Sequence, residues 1–310
     1  LERDGLRLRD GMTGEETTVS LNIARAPPAE AFDVAMVCVQ ALHRPSLMPL
    51  LREIPGRPTI WYLGNTTRGF DDATQQLGKD RVLGGFPGVG GTWEREVLVY
   101  ADRERPGDKP FDRLVIGEAH ADAAASAGVV QNNLQRVGMN VERYVPIMAW
   151  HWSHIALILP LAAAVYRHDL DLDAAAADRA LLKQTMRATA QGFTAIRRAG
   201  YPILPRSLNI MRWIPAALGA GKIRTLLQSK FGRIALAAHA RIGGGRRNRC
   251  GIGQRLLGGV RVGDTDLNLD LLAGFDQVRS GNVDVAFAGG TEALSRSLLL
   301  GMSRAGILSR

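Results

Sequence analysis

Two side chains have the type and position to do chemistry: a histidine on an apolar stretch and an asparagine closing a strand. His151 stands in Trp150-His151-Trp152-Ser153-His154. Imidazole titrates near neutrality, so it could hand a proton to a developing alkoxide. A packed core histidine remains the alternative reading of this residue. Asn65 ends Tyr62-Leu63-Gly64-Asn65, where an apolar run meets a polar turn. Open α/β sheets hold ligands beyond the carboxyl ends of their strands, and an amide there both donates and accepts. The plainer role, satisfying its own turn backbone, stays open for Asn65. Gly88-Val89-Gly90-Gly91-Thr92-Trp93 and Gly251-Ile252-Gly253-Gln254-Arg255-Leu256 each carry two glycines of the Gly-x-Gly-x-x-Gly phosphate cradle. Both lack the third glycine and the following helix, so both are expected to be plain loops. No cluster of metal-ligand spacing occurs.

The elements that must position these residues follow from periodicity. Val34 to Val39 is a continuous apolar run, as expected for a strand covered on both faces. A helix over Arg44–Glu53, a strand over Thr59–Leu63, a helix over Asp71–Leu77 and a strand over Arg81–Leu83 follow. Glu96–Tyr100 and Arg113–Ile116 read as a β pair, Ala121–Val137 as a helix and Asn140–Tyr144 as extended. The period then becomes helical: Met148–Tyr166, kinked or restarted at Pro160, and one long helix from Asp173, its cap, to Arg198. A further helix is expected over Ile223–Ala240. The expected organisation is an incomplete dinucleotide-binding domain (1–145), a helical domain (146–240), an Arg/Gly-rich linker (241–263) and a final helix and strand, Leu267–Ser280 and Val283–Ala288 (264–310).

With 46% hydrophobic and 22% charged residues, the chain has a globular rather than disordered composition. Its two cysteines, Cys38 and Cys250, exclude a disulfide framework and favour a reducing, cytoplasmic setting. The apolar run Ile155–Tyr166 is shorter than the roughly 20 residues a spanning helix needs, so no membrane partner is expected. A net charge of +9 raises the question of nucleic acid. Six arginines and no acid lie between Arg241 and Gly263, and the charges elsewhere are expected to be mixed. Without aromatic interleaving or a recognisable motif, nucleic-acid binding is not expected.

The order Gly5-Leu6, then Phe32-Asp33-Val34-Ala35-Met36-Val37-Cys38-Val39-Gln40-Ala41, then Tyr62-Leu63-Gly64-Asn65, then Gly192 to Pro202 resembles the ketopantoate reductase (2-dehydropantoate 2-reductase) family. The resemblance spans about residues 5–240. It implies a partial Rossmann-type parallel sheet followed by an all-α domain of the 6-phosphogluconate dehydrogenase C-terminal type. It also implies reduction of a small 2-keto acid with NADPH, and a homodimer. It sets Val39, Gln40, Asn65 and Thr66 along the cofactor, Asn65 also at the substrate, and His151 at the position of the family's catalytic lysine. Gln40 replaces a further lysine of the family, and Ile155 and Leu159 replace two asparagines, which points to a bulkier, more apolar substrate. No phosphate-binding glycine loop precedes Phe32, so weak NADPH binding and an open sheet edge are expected.

Ala286-Phe287-Ala288-Gly289-Gly290-Thr291-Glu292 resembles a different group, the β-ketoacyl synthases and thiolases. There the nucleophilic cysteine would fall at Asp264, and Cys250 lies too early. The segment is expected to be a partial thiolase-like helix–strand unit with no condensing activity of its own. A shifted reading frame or a genuine fusion across 241–263 would each explain the junction. An acyltransferase of the condensing type and a non-catalytic fusion fragment are the alternatives to the reductase.

Overall fold

The computed structural model describes residues 5–20, 29–39, 41–101 and 114–240. Gln40, Arg113, the linker 241–263 and the synthase-like 264–310, with its expected helix and strand, lie outside the described residues. The described chain forms two compact units, one ending at Trp152 and one beginning at Ser153.

The first unit contains β1 (Leu6–Asp10), β2 (Glu16–Val19), β3 (Val34–Val37), α1 (Arg44–Glu53), β4 (Thr59–Leu63), α2 (Asp71–Leu77), β5 (Val82–Phe86), β6 (Gly90–Glu94), β7 (Val97–Ala101), β8 (Leu114–Glu118), α3 (Ala124–Arg136) and β9 (Val141–Arg143). The main sheet has the order β3-β4-β5-β8-β9. β3, β4 and β5 run parallel, β8 is antiparallel to β5, and β9 is parallel to β8. A second sheet has the order β2-β1-β7-β6. Two expectations are corrected here. β7 and β8 do not pair: β7 joins β1 and β6, while β8 joins β5 and β9. Both strands are apolar and buried, and such a run carries no local mark of its partner. Gly88 to Trp93 is not a plain loop either, since Gly90–Glu94 forms β6 and returns into β7 through Arg95, at φ +56°.

Period-two alternation along β4 divides the core. Trp61 and Leu63 point with Leu83, Leu114 and Ile116 toward Ala127, Val130 and Leu134 of α3, and this cluster continues into Leu8, Leu98 and Tyr100 of the second sheet. Tyr62 faces the opposite side, opposite Gly84 in the register, and Gly84 is opposite Gly117. These two glycines cut a trough into that face. A Cβ on Gly84 would lie 2.6 Å from the Phe70 ring, and one on Gly117 would lie 2.3 Å from the Tyr144 carbonyl oxygen and 2.8 Å from Ile147 Cβ. The trough therefore seats Phe70 and the first turn of α4 (Ile147–Arg167) against the sheet.

The second unit takes α4 onward from Ser153 and adds α5 (Leu172–Ala177), α6 (Arg179–Arg198), a 3-10 turn (Arg206–Arg212), α7 (Ala216–Gln228) and α8 (Lys230–Ala240). α4 is one helix through Pro160, and its 21 residues are long and apolar enough to cross a bilayer by length and composition. Asp173 does not open one long helix. Asp171 caps α5, accepting from the amides of Asp173 and Ala174, and Asp178 breaks the chain and caps α6 by accepting from Leu181 N at 2.9 Å. Aspartate side chains compete for backbone amides, and a second one in the run is enough to divide the helix. The stretch 223–240 divides likewise at Ser229, whose Oγ accepts from Gly232 N at 2.9 Å. Leu161, Val165, Ala175, Leu182, Ala220, Leu227 and Leu236 form the core of this unit.

Candidate active site

The site is a corner of the first unit, built where β3 and β4 end. β4 leaves the sheet at Gly64, whose φ of +127° is a conformation that side-chain-bearing residues rarely adopt. The Gly64 amide donates a last bond to Gly85 O at 3.1 Å, and the chain then turns into the 65–70 loop. That loop is held against the start of α4: Trp152 Nε1 donates to Thr67 O at 3.4 Å, and Phe70 drops into the glycine trough. Asn65, half-buried, carries a side-chain oxygen that is fully buried and has no hydrogen-bond partner among the described residues. Thr66 beside it is buried. Since Val37 pairs with Tyr62 in parallel register, the half-buried Val39 leaves the sheet alongside Gly64. Val39, Asn65 and Thr66 are thus brought to one strand-end corner.

His151 is 0% exposed. Its ring lies 5.9 Å from Phe70 and edge-on to Trp150 at 5.5 Å. Neither ring nitrogen has a hydrogen-bond partner among the described residues. Burial pushes the imidazole down to about 3, and the Arg44 guanidinium adds to the effect, so the ring is neutral near pH 7. A neutral ring can offer one N–H and accept at its other nitrogen, but it holds no acidic proton to give at that pH.

Arg44 is the residue that sequence reading missed. It opens α1, is buried, and holds its guanidinium carbon 5.0 Å from the Tyr62 ring and 5.3 Å from that of Phe70. Burial pushes the Tyr62 phenol up to about 12, with Arg44 and Arg81 opposing, so the phenol stays protonated. A legible signal existed: a cation in a first helical turn works against the helix dipole, and one that is also buried needs a different reason to be there.

The strand-end corner holds the Asn65 amide, and beneath the sheet face Arg44 and the neutral imidazole of His151 are both packed against Phe70. The described residues offer no glycine cradle for a pyrophosphate, because Gly90 and Gly91 are strand residues of β6. Among the described residues no group of three or more His, Cys, Asp or Glu side chains could hold a metal ion.

No family model matches the chain, and no curated protein matches it. Solved structures do resemble it. A protein of Ralstonia solanacearum MolK2 described as a ketopantoate reductase superposes with a TM-score of 0.58 at 16% identity, covering 90% of this chain and 87% of that one. The 2-dehydropantoate 2-reductase of Geobacter metallireducens GS-15 gives 0.56 at 14% identity, covering 71% and 72%. A D-mandelate dehydrogenase in a ternary complex with NADH and anilino(oxo)acetate gives 0.58 at 9% identity, covering 98% and 84%. These likenesses establish the fold: a mixed α/β protein with a parallel sheet and many helices, matching the ketopantoate reductases.

Proposed function

We propose that the chain is a nicotinamide-dependent reductase of 2-keto acids with a bulky apolar substituent. The observation that carries this reading is the buried, unpartnered amide oxygen of Asn65 at the end of a parallel strand. That is the place where open α/β sheets hold a ligand, and the atom lacks the donor that a carboxamide would bring. When bound, a reduced nicotinamide supplies the hydride. Asn65 and Thr66 would orient its ring, with Val39 against the same corner. Arg44 places a positive charge behind the corner, which favours a substrate carboxylate there. The preference for a larger apolar substituent rests on Ile155 and Leu159, which stand where the family that the chain resembles has asparagines. His151, neutral and fully buried against Phe70 and Trp150, would hold the packing behind the corner rather than supply a proton. NADPH rather than NADH, and a homodimeric assembly, are parts of the reading that rest on the sequence resemblance. The superposed fold of a dimeric ketopantoate reductase from Staphylococcus aureus is in keeping with the assembly.

The test is oxidation of NADPH and of NADH, followed by absorbance, with branched and aryl 2-keto acids. Turnover that rises with the bulk of the substituent and falls about tenfold in Asn65→Leu supports the reading. Cofactor oxidation that is absent with every 2-keto acid, together with no quenching of tryptophan fluorescence by either nucleotide, overturns it.

A further inference from the structure

Past Asp178 the chain holds no carboxylate until Asp264. Over the described part of that stretch, from Arg179 to Ala240, eleven lysines and arginines stand with no aspartate or glutamate. The expectation of mixed charge outside 241–263 is wrong for α6, α7 and α8. The rest of the chain is net acidic, so the charge is segregated rather than merely high.

Within this stretch, the segment from the 3-10 turn to the start of α7 carries exposed apolar side chains. Trp213 is 74% exposed, Leu218 66% and Ile210 64%. Single exposed apolar residues need no explanation, but three this open within one short segment among cations do. Arg212 is anchored there: Nε donates to Thr194 Oγ1 at 3.4 Å, and its guanidinium carbon lies 5.3 Å from the Trp213 ring. Arg187 and Gln191, one turn apart on α6, join Arg212 and Ile214 in lining an open cavity of about 450 Å³ beside the start of α7. Leu218 and Lys222, one turn apart on α7, are both exposed.

We propose that this face of the second unit docks on an anionic phospholipid surface. Trp213, Ile210 and Leu218 enter the boundary between headgroups and acyl chains, and Arg187 and Arg212 take a lipid phosphate at the cavity. Two other partners fit the surface less well. Nucleic acid would use several outward rings for stacking, whereas one ring is strongly exposed and Ile210 and Leu218 would have no purpose. A second copy docking through Arg187 and Arg212 would set these cations against their own copies, and neither has a carboxylate partner among the described residues.

Flotation of the full chain with vesicles of phosphatidylcholine, with and without phosphatidylglycerol, tests this. Binding is expected only with the anionic lipid, weakening as salt rises. Arg187→Gln and Arg212→Gln should each lower partition about fivefold. Trp213→Ala should lower it roughly tenfold with the far-UV circular dichroism unchanged. Brominated acyl chains should quench the wild type, and quench Trp213→Phe less. Equal binding to neutral vesicles overturns the proposal. So does binding that ignores these variants, because it then arises outside this face. Displacement from vesicles by single-stranded RNA at equal salt, or a dimer abolished by Trp213→Ala, overturns it as well.

Discussion

Both units bury uncharged polar groups, but among the described residues only the first buries arginines. In the first, Arg44, Thr66, Arg81 and His151 are buried. Its surface charges are often paired, as where Arg7 meets Glu16 at 3.3 Å and Arg57 meets Asp80 at 3.1 Å. In the second, four aspartates crowd into Asp169 to Asp178, and from Arg179 to Ala240 every charged side chain is a lysine or arginine apart from His239. Chemistry in the first unit is therefore held inside, under the strand ends, where desolvation sharpens it. In the second unit the distinctive chemistry lies on the surface, where only a partner gives it a use.

Packing tolerance should separate the units most. Gly117→Ala drives its new Cβ against the Tyr144 carbonyl, a backbone atom that cannot turn aside. A loss of about 3 kcal/mol, read from urea denaturation, is expected. At Gly219 the obstacle is the flexible Met186 side chain, 2.4 Å from the added Cβ. There Gly219→Ala should fall within about 1 kcal/mol of neutral, because the gain in helix propensity offsets the strain. Equal losses at both positions would break the contrast.

Next in size is the buried imidazole. The unfolded chain binds a proton at His151 near 6.5, while the folded ring refuses it until about 3. Stability is therefore complete above the unfolded value and falls as pH drops through that window, at a slope approaching ~1.4 kcal/mol per pH unit. His151→Phe should flatten this part of the pH–stability curve. An unaltered curve would mean that the folded ring takes up its proton freely.

Asn65→Leu should cost about tenfold in reductase turnover while leaving stability unchanged or slightly higher, since it removes a buried unpaired oxygen. A drop in stability of similar size would assign Asn65 to the turn alone. In the second unit, Asp178→Ala should cost about 1 kcal/mol of stability at neutral pH through loss of the α6 cap. The Leu181 amide, then His168, hold the Asp178 carboxyl below its usual range, so this contribution is present at neutral pH and is lost as pH falls through the acid range. Smallest of all, Trp213→Ala should change stability by under ~0.5 kcal/mol, because the ring is largely outside.

Much of the first unit was legible because its signals are local. The expected α1, β4 and α2 match Arg44–Glu53, Thr59–Leu63 and Asp71–Leu77, each bounded by a proline, glycine or acidic turn. Two aspartates in one helical pattern gave local notice of a break at Asp178, and a longer window would have shown the absence of acids after it. Strand pairing was not local. Nothing in Val97–Ala101 states that it leaves the main sheet for β1 and β6.

By itself the sequence determined the α/β-then-helical order, Asn65 at a strand end, the apolar start of α4 and the run of positive charge without acids from Arg179 to Ala240. Tertiary structure decided that β1 and β2 form a separate sheet with β7 and β6, and that Gly84 and Gly117 fall in one row to seat Phe70 and Ile147. It also decided that Arg44 lies over Tyr62 and Phe70, with its charge felt at His151. Periodicity and turns are set by neighbours within a few residues. Register and burial are set by which distant apolar faces meet, and that meeting also makes the imidazole neutral and leaves the amide oxygen unpaired.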